Sequence, residues 1–418
     1  MARTAVARLT AEPNKVSGWF IFRYTAAMAG LFAALLTPVI IGLSLKLLAL
    51  DSANATTNLA LVAGVGAFLA MAANPFFGRL SDRTVGRFGM RRPWLLAGSV
   101  VGLGGLAIIA VGNDIPTILV GWCIAQIAFN GTLATLSAVI ADQVPKKQRG
   151  TVSGFLGIAQ GVGILIGVAL AQLFTGNMFL LFIVPGIVGL VLIFLFALTF
   201  KDRVLTKHSK EPYDFRLFIK SFWTNPFKYP SFGWAWLSRF SILLALSFVT
   251  TYQTFYLLKQ VGVPQENVAT YIFLGSLSSI GVLVLGSILG GFLSDKFHRR
   301  KLFVWVSAAI CVVALALLAT GNSVGIFLLA AAIVGLAQGA YMAVDLALVT
   351  EVLPNKKDTA KDLGVINIAN ALPQSVAPAI APIFLAINGP DNFTSLFLAA
   401  AVFAGIAAVA VFPIRKVK

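Results

Sequence analysis

Residues 78–94, GRLSDRTVGRFGMRRPW, carry six charged side chains between two long apolar runs. Charge at this density is too costly to place in hydrocarbon, so the stretch is predicted to be a short loop at a membrane surface. Five of the six charges are arginines, which indicates the cytoplasmic surface. A shorter copy of the loop, GGFLSDKFHRRK, recurs at residues 290–301. The two loops together predict a membrane protein with an internal repeat.

The composition indicates the same class of protein. Of the 418 residues, 58% are hydrophobic and 11% are charged, and the mean hydropathy is +0.90. A soluble protein has about a quarter of its residues charged, so this chain has too little polar surface for a water-soluble globule. The net charge of +17 does not indicate nucleic-acid binding, because the Lys and Arg residues cluster in alternate gaps between apolar runs. We therefore expect an all-α integral membrane protein that lies in a lipid bilayer and binds no nucleic acid.

Twelve apolar stretches are long enough to cross a membrane as helices. Of the 32 Lys and Arg residues, all but Lys46 and Lys259 fall on one side of this arrangement. The asymmetry predicts a multi-pass protein of the cell membrane with both termini in the cytoplasm. The predicted spans are 20–50, 57–77, 93–113, 115–141, 151–175, 178–200, 232–260, 267–292, 302–320, 323–349, 363–387 and 393–413.

One long connection divides the chain. Residues 201–231 are rich in charge, and the part between Tyr213 and Trp223 mixes basic and aromatic residues, which predicts an amphipathic helix on the inner leaflet. The predicted domains are an N-terminal six-helix bundle (1–200), this cytoplasmic linker (201–231) and a C-terminal six-helix bundle (232–418).

The chain carries no signature of catalysis or of a bound cofactor. Cys123 and Cys311 lie inside apolar spans without disulfide or metal spacing, and are interpreted as packing residues. The predicted spans contain no histidine and no close carboxylate pair, and the chain has no GxxxxGK[ST] nucleotide-binding loop. We expect a protein that is not an enzyme and that uses no metal, no cofactor and no ATP.

Three sequence similarities relate the two halves of the chain. Residues 78–83 match residues 291–296 at a spacing of 213, and residues 142–145 match residues 351–354 at a spacing of 209. Both halves also begin with a tryptophan that is followed within a few residues by an arginine. Three sequence similarities in the same order predict two homologous six-helix bundles. This is the architecture of a transporter with a solute site near the midplane of the membrane.

The loop and its copy resemble the major facilitator superfamily over all twelve spans. Gly78, Asp82, Arg83 and Arg87 are similar to that family's loop motif between helices two and three, and the copy at 290–301 stands where the family repeats the motif. The resemblance implies two pseudo-symmetric bundles that work by alternating access, and we expect a monomer.

Within that family, residues 87–94 and the Thr37-Pro38 pair are similar to the glycoside and sucrose cation-symporter branch. This finer resemblance implies a sugar or glycoside as the solute. One departure concerns the coupling ion, because residues 57–77 lack the acidic sodium ligands of the melibiose-type members. We therefore expect protons as the coupling ion.

The inner loops have a physical role as a gate. Asp82 is expected to face the positive N-terminal end of span eleven near residues 362–364, and Arg83 and Arg87 are expected to pair with Asp142. The alternative is that these arginines only orient the chain in the membrane. The residues assigned to the gate are Gly78, Asp82, Arg83, Arg87, Asp142, Arg149, Gly291, Asp295, Arg299 and Glu351.

Asp345 is the acidic residue that stands out inside a predicted span. An ionisable group at that depth is a candidate for proton coupling. The alternative is a structural pair with a loop arginine such as Arg299. Arg23 and Arg239, at the inner ends of spans one and seven, are expected to be anchors at the membrane surface; the alternative is that they are ligands of the solute.

Neutral polar side chains on helical faces are the candidate solute ligands. Amides both donate to and accept from hydroxyl groups, and aromatic rings stack on sugars, so this set suits a neutral polyhydroxylated solute. The alternative for any one of them is a hydrogen bond between helices. The candidates are Gln126, Asn130, Gln160, Tyr252, Gln253, Tyr256, Gln338, Tyr341, Asn367, Asn370 and Gln374.

The sequence thus favours a secondary transporter that imports a neutral, sugar-like solute with protons. The alternative is efflux of drugs or metabolites by proton antiport on the same scaffold. Import is favoured because spans one to five lack an acidic residue in mid-membrane.

Overall fold

The computed structural model describes residues 15–204, 226–352 and 359–414. Within these residues there are no strands, and twelve helices are long and apolar enough to cross a membrane. The predicted all-helical class and the twelve spans are therefore confirmed. The amphipathic helix predicted between Tyr213 and Trp223 lies outside the described residues. The helices are α1 (Gly18–Leu50), α2 (Ala55–Asp82), α3 (Arg92–Val111), α4 (Ile115–Gln143), α5 (Lys146–Leu173), α6 (Met178–Thr199), α7 (Pro230–Gln260), α8 (Gln265–Phe297), α9 (Arg300–Thr320), α10 (Val324–Val352), α11 (Thr359–Leu385) and α12 (Phe393–Ala410).

Side-chain caps define the starts of several helices. The carboxylate of Asp114 accepts from the backbone N–H of Thr117 at 2.8 Å, which satisfies one free donor in the first turn of α4. The amide oxygens of Asn177 and Asn392 cap α6 and α12 in the same way. Each of these caps lies at the predicted outer end of its helix, where the connections are only a few residues long.

Two helices contain a π-helical turn. In α1 the turn covers Pro38–Gly42, and in α7 it covers Tyr256–Gln260. Pro38 has no backbone N–H and cannot donate the ordinary helical bond, which weakens α1 at this point. Both turns lie in the predicted outer third of the first helix of each predicted bundle. A π-helical turn inserts one extra residue and rotates the side chains that follow it.

The chain divides into two compact units. The first contains residues 1–37 and 72–211, and the second contains residues 38–71 and 212–418. The division inside α1 falls at the start of its π-helical turn, so the outer part of α1 and most of α2 belong to the second unit. Each unit is described by itself below.

Small residues set the closest helix contacts in each unit. In the first unit, a Cβ on Gly105 of α3 would lie 2.6 Å from the backbone nitrogen of Ala125 on α4. In the second unit, a Cβ on Gly339 of α10 would fall on the carbonyl oxygen of Leu283 on α8. These contacts require glycine, because a side chain at either position would keep the two helix backbones apart.

The two loop glycines occupy equivalent places in the two units. A Cβ on Gly78 would lie 3.7 Å from the Cβ of Ala134, and one on Gly291 would lie 3.8 Å from the Cβ of Ala343. Ala134 and Ala343 are 209 residues apart, the same spacing that relates residues 142–145 to residues 351–354. The contact between each loop helix and its neighbour is thus repeated.

Candidate functional site

Arg91 lies at the centre of the charged loop between α2 and α3. Its Nε donates to Asp142 at 2.8 Å, its Nη1 donates to the hydroxyl of Ser81 at 2.5 Å, and its Nη2 pairs with Asp82 at 2.5 Å. The side chain is only 4% exposed. Burial by itself lowers the pKa of an arginine, but the hydrogen bond and charge of Asp142, together with the charge of Asp82, outweigh it and raise the pKa of Arg91. One guanidinium therefore connects the C-terminal ends of α2 and α4 to the start of α3.

The partner of Asp142 is thus Arg91, whereas the loop pattern predicts Arg83 and Arg87. The guanidinium of Arg87 instead lies over the ring of Phe88, 4.8 Å from its centre. The predicted contact of Asp82 with residues 362–364 involves side chains outside the described residues.

A second carboxylate fixes the same loop from a distance in sequence. Asp202, just after α6, accepts from the backbone N–H groups of Arg91 at 2.8 Å and Arg92 at 2.7 Å. It therefore caps α3, whose own N-cap residue makes no side-chain cap. Gly89 has φ +93°, and a Cβ there would overlap Asp202. The loop, α3 and the start of the linker thus meet at one site that no sequence motif marks.

The copy of the loop makes a weaker version of this contact. Arg300 pairs with Glu351, and both positions lie 209 residues after Arg91 and Asp142. The two side chains are 32% and 41% exposed, so water reaches this pair. Arg299 and Asp295, which are also assigned to the gate, are exposed.

Arg149 has a local role at the end of α4. Its guanidinium donates to the carbonyl of Val144 at 3.1 Å and to the carbonyl of Ala141 at 2.9 Å. A cation that donates to the last carbonyls of a helix stabilises its negative end. The contacts in the structure are therefore those of a helix cap.

Asp345 is buried between three helices of the second unit. It is 2% exposed and forms an ion pair with Arg239 of α7, which is 13% exposed. The Nε of Arg239 also donates to the amide oxygen of Asn370 on α11 at 2.6 Å, and Asn370 donates to Asn367 at 3.3 Å. Asp345 is seven positions before Val352, the last residue of α10, which places it about 10 Å from that end of the helix.

This partner differs from both sequence expectations. The predicted alternative paired Asp345 with a loop arginine such as Arg299, and Arg239 was expected to be an anchor at the membrane surface. Arg239 instead lies inside the bundle, where the opposite charge of Asp345 and the amide of Asn370 compensate its burial.

The first unit makes a neutral contact at the equivalent place. The spacing of 209 residues relates Asp345 to Leu136. The backbone carbonyl of Leu136 accepts a hydrogen bond from the hydroxyl of Tyr24 at 3.2 Å. Arg23, the counterpart of Arg239, instead lies over the ring of Trp19 at 5.5 Å. The first unit therefore packs with a neutral contact at this position, so packing alone does not explain Asp345.

Several buried hydroxyl groups of the second unit make no hydrogen bond to the described residues. They belong to Tyr341, one turn before Asp345, and to Ser44, Tyr252 and Ser375. An unpaired buried hydroxyl costs about 1–3 kcal/mol, so such groups are candidates to meet a solute or water.

The other predicted solute ligands are dispersed. Gln126 and Asn130 are buried in α4 and bond to each other, with the Asn130 amide donating to Gln126 Oε1 at 2.8 Å. The Tyr256 hydroxyl donates to the carbonyl of Gly321 at 2.8 Å, and its ring packs against Phe397. The set that the structure brings together with Asp345 is Tyr341, Asn367 and Asn370. Gln160, Asn367 and Gln374 are exposed, and Gln253 and Gln338 are half-buried.

Comparisons with known proteins agree with this architecture. The family model described as Major Facilitator Superfamily matches residues 19–288 and 265–418. A bacterial homologue of the human lysosomal transporter Spinster, solved in an inward-facing and unoccupied conformation, has a TM-score of 0.72 at 16% identity and covers 96% of this chain and 98% of its own. The nucleoside transporter NupG has a TM-score of 0.75 at 14% identity, with 96% and 100% covered. A search of curated protein sequences found no match.

Among the described residues, twelve helices are long and apolar enough to cross a membrane, and a charged loop of the sequence is repeated; this is the architecture of a membrane transporter. The chain belongs to the Major Facilitator Superfamily. The resemblance to that family is therefore confirmed, and the finer resemblance to the glycoside and sucrose branch stays a prediction.

Proposed function

We propose that the protein imports a small neutral polar solute of the sugar or glycoside class together with protons, and that Asp345 carries the proton. The observation that supports this proposal is the buried pair of Asp345 and Arg239, which the first unit replaces with a neutral contact. Ionisable residues inside membrane helices are costly and usually functional.

The pair supplies a physical route for coupling. While Asp345 is charged, it holds the guanidinium of Arg239. Hydroxyl oxygens of a solute can accept from that guanidinium and draw it away, and a buried carboxyl without its cation binds a proton more readily. Solute and proton then favour each other's binding, which is the linkage that symport requires.

The surrounding groups suit a polyhydroxylated solute. Asn367 and Asn370 offer amides on one face of α11, and the unpaired hydroxyl of Tyr341 lies one turn from Asp345. Amides and hydroxyls both donate and accept, so they match alcohol groups better than apolar ones. Tyr256 is left out of this site because its hydroxyl is already bonded.

We also propose that the charged loops are gates on the cytoplasmic side, where both termini lie. Arg91 joins the ends of α2, α3 and α4, so that these ends move together. The partly exposed pair of Arg300 and Glu351 is the weaker gate of the repeat.

Transport into proteoliposomes tests the function. The probes are labelled disaccharides, glycosides and, because one structural neighbour is a nucleoside transporter, nucleosides. We expect an inward proton gradient to drive accumulation of at least one probe and a protonophore to abolish it. Accumulation that ignores the protonophore would contradict proton coupling, and solute movement driven only outwards would favour efflux.

A matched pair of variants tests the proton carrier. Asp345→Asn imitates the protonated acid, so we expect it to keep solute exchange at equal concentrations and to lose accumulation. Asp114→Asn removes an equal charge from an exposed helix cap in the first unit and should behave like the wild type. Gradient-driven accumulation by Asp345→Asn would eliminate Asp345 as the carrier.

A further inference from the structure

Asp391, in the turn between α11 and α12, accepts from two distant donors of the second unit. The ammonium of Lys259 on α7 lies 2.6 Å from its Oδ2, and the hydroxyl of Thr56 on α2 donates to its Oδ1 at 2.7 Å. Asp391 has φ +56°, a left-handed conformation that glycine, asparagine and aspartate adopt more readily than other residues. Both of its carboxylate oxygens are bonded within this turn region.

The π-helical turn of α1 contacts α7 just before the π-helical turn of that helix. The hydroxyl of Thr254, just before the turn of α7, donates to the carbonyl of Ile40 in the turn of α1 at 2.6 Å. Lys259 lies inside the turn of α7, and the extra residue of that turn changes the direction of its side chain. Such turns are often found at functional sites.

These contacts join the two halves of the sequence within one unit. Ile40 and Thr56 come from α1 and α2, whereas Thr254, Lys259 and Asp391 come from the C-terminal half. All five residues belong to the second unit, and Thr56, Lys259 and Asp391 lie at or next to the helix ends opposite the basic loops.

The chemistry of the contacts permits repeated opening. The side chains of Lys259 and Asp391 are 21% and 23% exposed, so water can replace each partner when the two separate. An entirely apolar contact would expose hydrophobic surface on opening, which costs free energy in proportion to its area. The pairing is therefore suited to a contact that breaks and re-forms.

We propose that Asp391, with Lys259 and Thr56, is an outer latch that holds the outer ends of α1 and α2 against α7 and the α11–α12 turn. The latch has to release before a solute can enter from outside. The latch does not depend on which solute or coupling ion is transported. The proposal of a latch therefore holds even if the proposed function is wrong.

Accessibility of one buried position tests the latch. Ser44 lies four residues after Ile40 and is fully buried. Ser44→Cys, with Cys123→Ala and Cys311→Ala, is treated from outside with a membrane-impermeant thiol reagent in right-side-out vesicles. We expect Asp391→Asn and Lys259→Met each to raise the labelling rate about tenfold, which corresponds to about 1.4 kcal/mol.

Three controls make the result decisive. Asp114→Asn removes an outer carboxylate that holds no ion pair among the described residues, and it should leave the rate unchanged. Thr56→Val removes one hydrogen bond at nearly constant volume, so it replaces Asp391→Asn if that variant fails to give a single peak in size-exclusion chromatography. The exchange Lys259→Asp with Asp391→Lys should restore slow labelling. Equal rates with and without the latch variants, or an equal rise in Asp114→Asn, would overturn the proposal.

Discussion

Replacement of Arg91 by glutamine should destabilise the protein far more than the same change at Arg300. Arg91 is 4% exposed and holds Asp142, which is 14% exposed, and Asp82, which is 53% exposed. Arg300 and Glu351 occupy the repeated position but are 32% and 41% exposed. The two variants remove the same group from the same place in two related loops. The difference between their effects on stability therefore measures the contribution of burial.

The magnitudes follow from the exposure of the carboxylates left behind. Removing one partner of a buried ion pair costs about 3–5 kcal/mol, whereas an exposed pair is worth about 0.2–1 kcal/mol. Asp82 can be hydrated, so the cost of Arg91→Gln comes mainly from Asp142 and should be about 3 kcal/mol. At roughly 2–4 °C per kcal/mol for a unit of this size, the melting temperature should fall by roughly 6–12 °C. Arg300→Gln should lower it by less than about 4 °C.

Thermal unfolding of the purified protein in detergent measures both values. The double variant Arg91→Gln with Asp142→Asn should recover much of the loss, because it removes the uncompensated carboxylate. Equal shifts for Arg91→Gln and Arg300→Gln, or no recovery in the double variant, would refute the reasoning.

Two further predictions concern the packing and the caps. Gly339→Ala places a Cβ on the carbonyl of Leu283 and should lower the free energy of unfolding by about 1–3 kcal/mol. Gly325→Ala on the same helix has open space and should be neutral or stabilising by up to about 1 kcal/mol. Thermal unfolding of both variants checks this, and an equal effect of the two would contradict it. Hydrogen bonds from Thr117 hold the pKa of Asp114 below its ordinary value, so its charged form stabilises the fold above that value and the benefit is lost as the pH falls through the lowered pKa. The difference in melting temperature between the wild type and Asp114→Ala should therefore be present at pH 5 and shrink below about pH 3.8, and a difference that grows on acidification would disprove the assignment.

The twelve helices could be predicted because each depends on a local property. A membrane span needs about twenty apolar residues, and the basic loops mark where each span ends. Asp345 could also be found from the sequence, since an acid inside an apolar run is conspicuous. Its partner could not be found this way, because the contact with Arg239 depends on how α7 and α10 are rotated towards each other across 106 residues of chain.

The details of the charged loop depend on backbone geometry that composition does not reveal. The loop contains five arginines, and composition does not show which of them pairs with Asp142; in the structure it is Arg91, two residues after the positive φ of Gly89. The cap that Asp202 provides comes from more than one hundred residues away. One signal was available for α1, where Pro38 predicts a local break, but the turn of α7 contains no proline.

Charge movement during transport tests the central claim about Asp345 most directly. A neutral solute that moves with a proton carries positive charge inward, so solute added to proteoliposomes on a capacitive electrode should produce a transient current. The account predicts this current in the wild type and its loss in Asp345→Asn, while labelled solute still exchanges in that variant. Solute flux without current in the wild type, or an undiminished current in Asp345→Asn, would contradict the account.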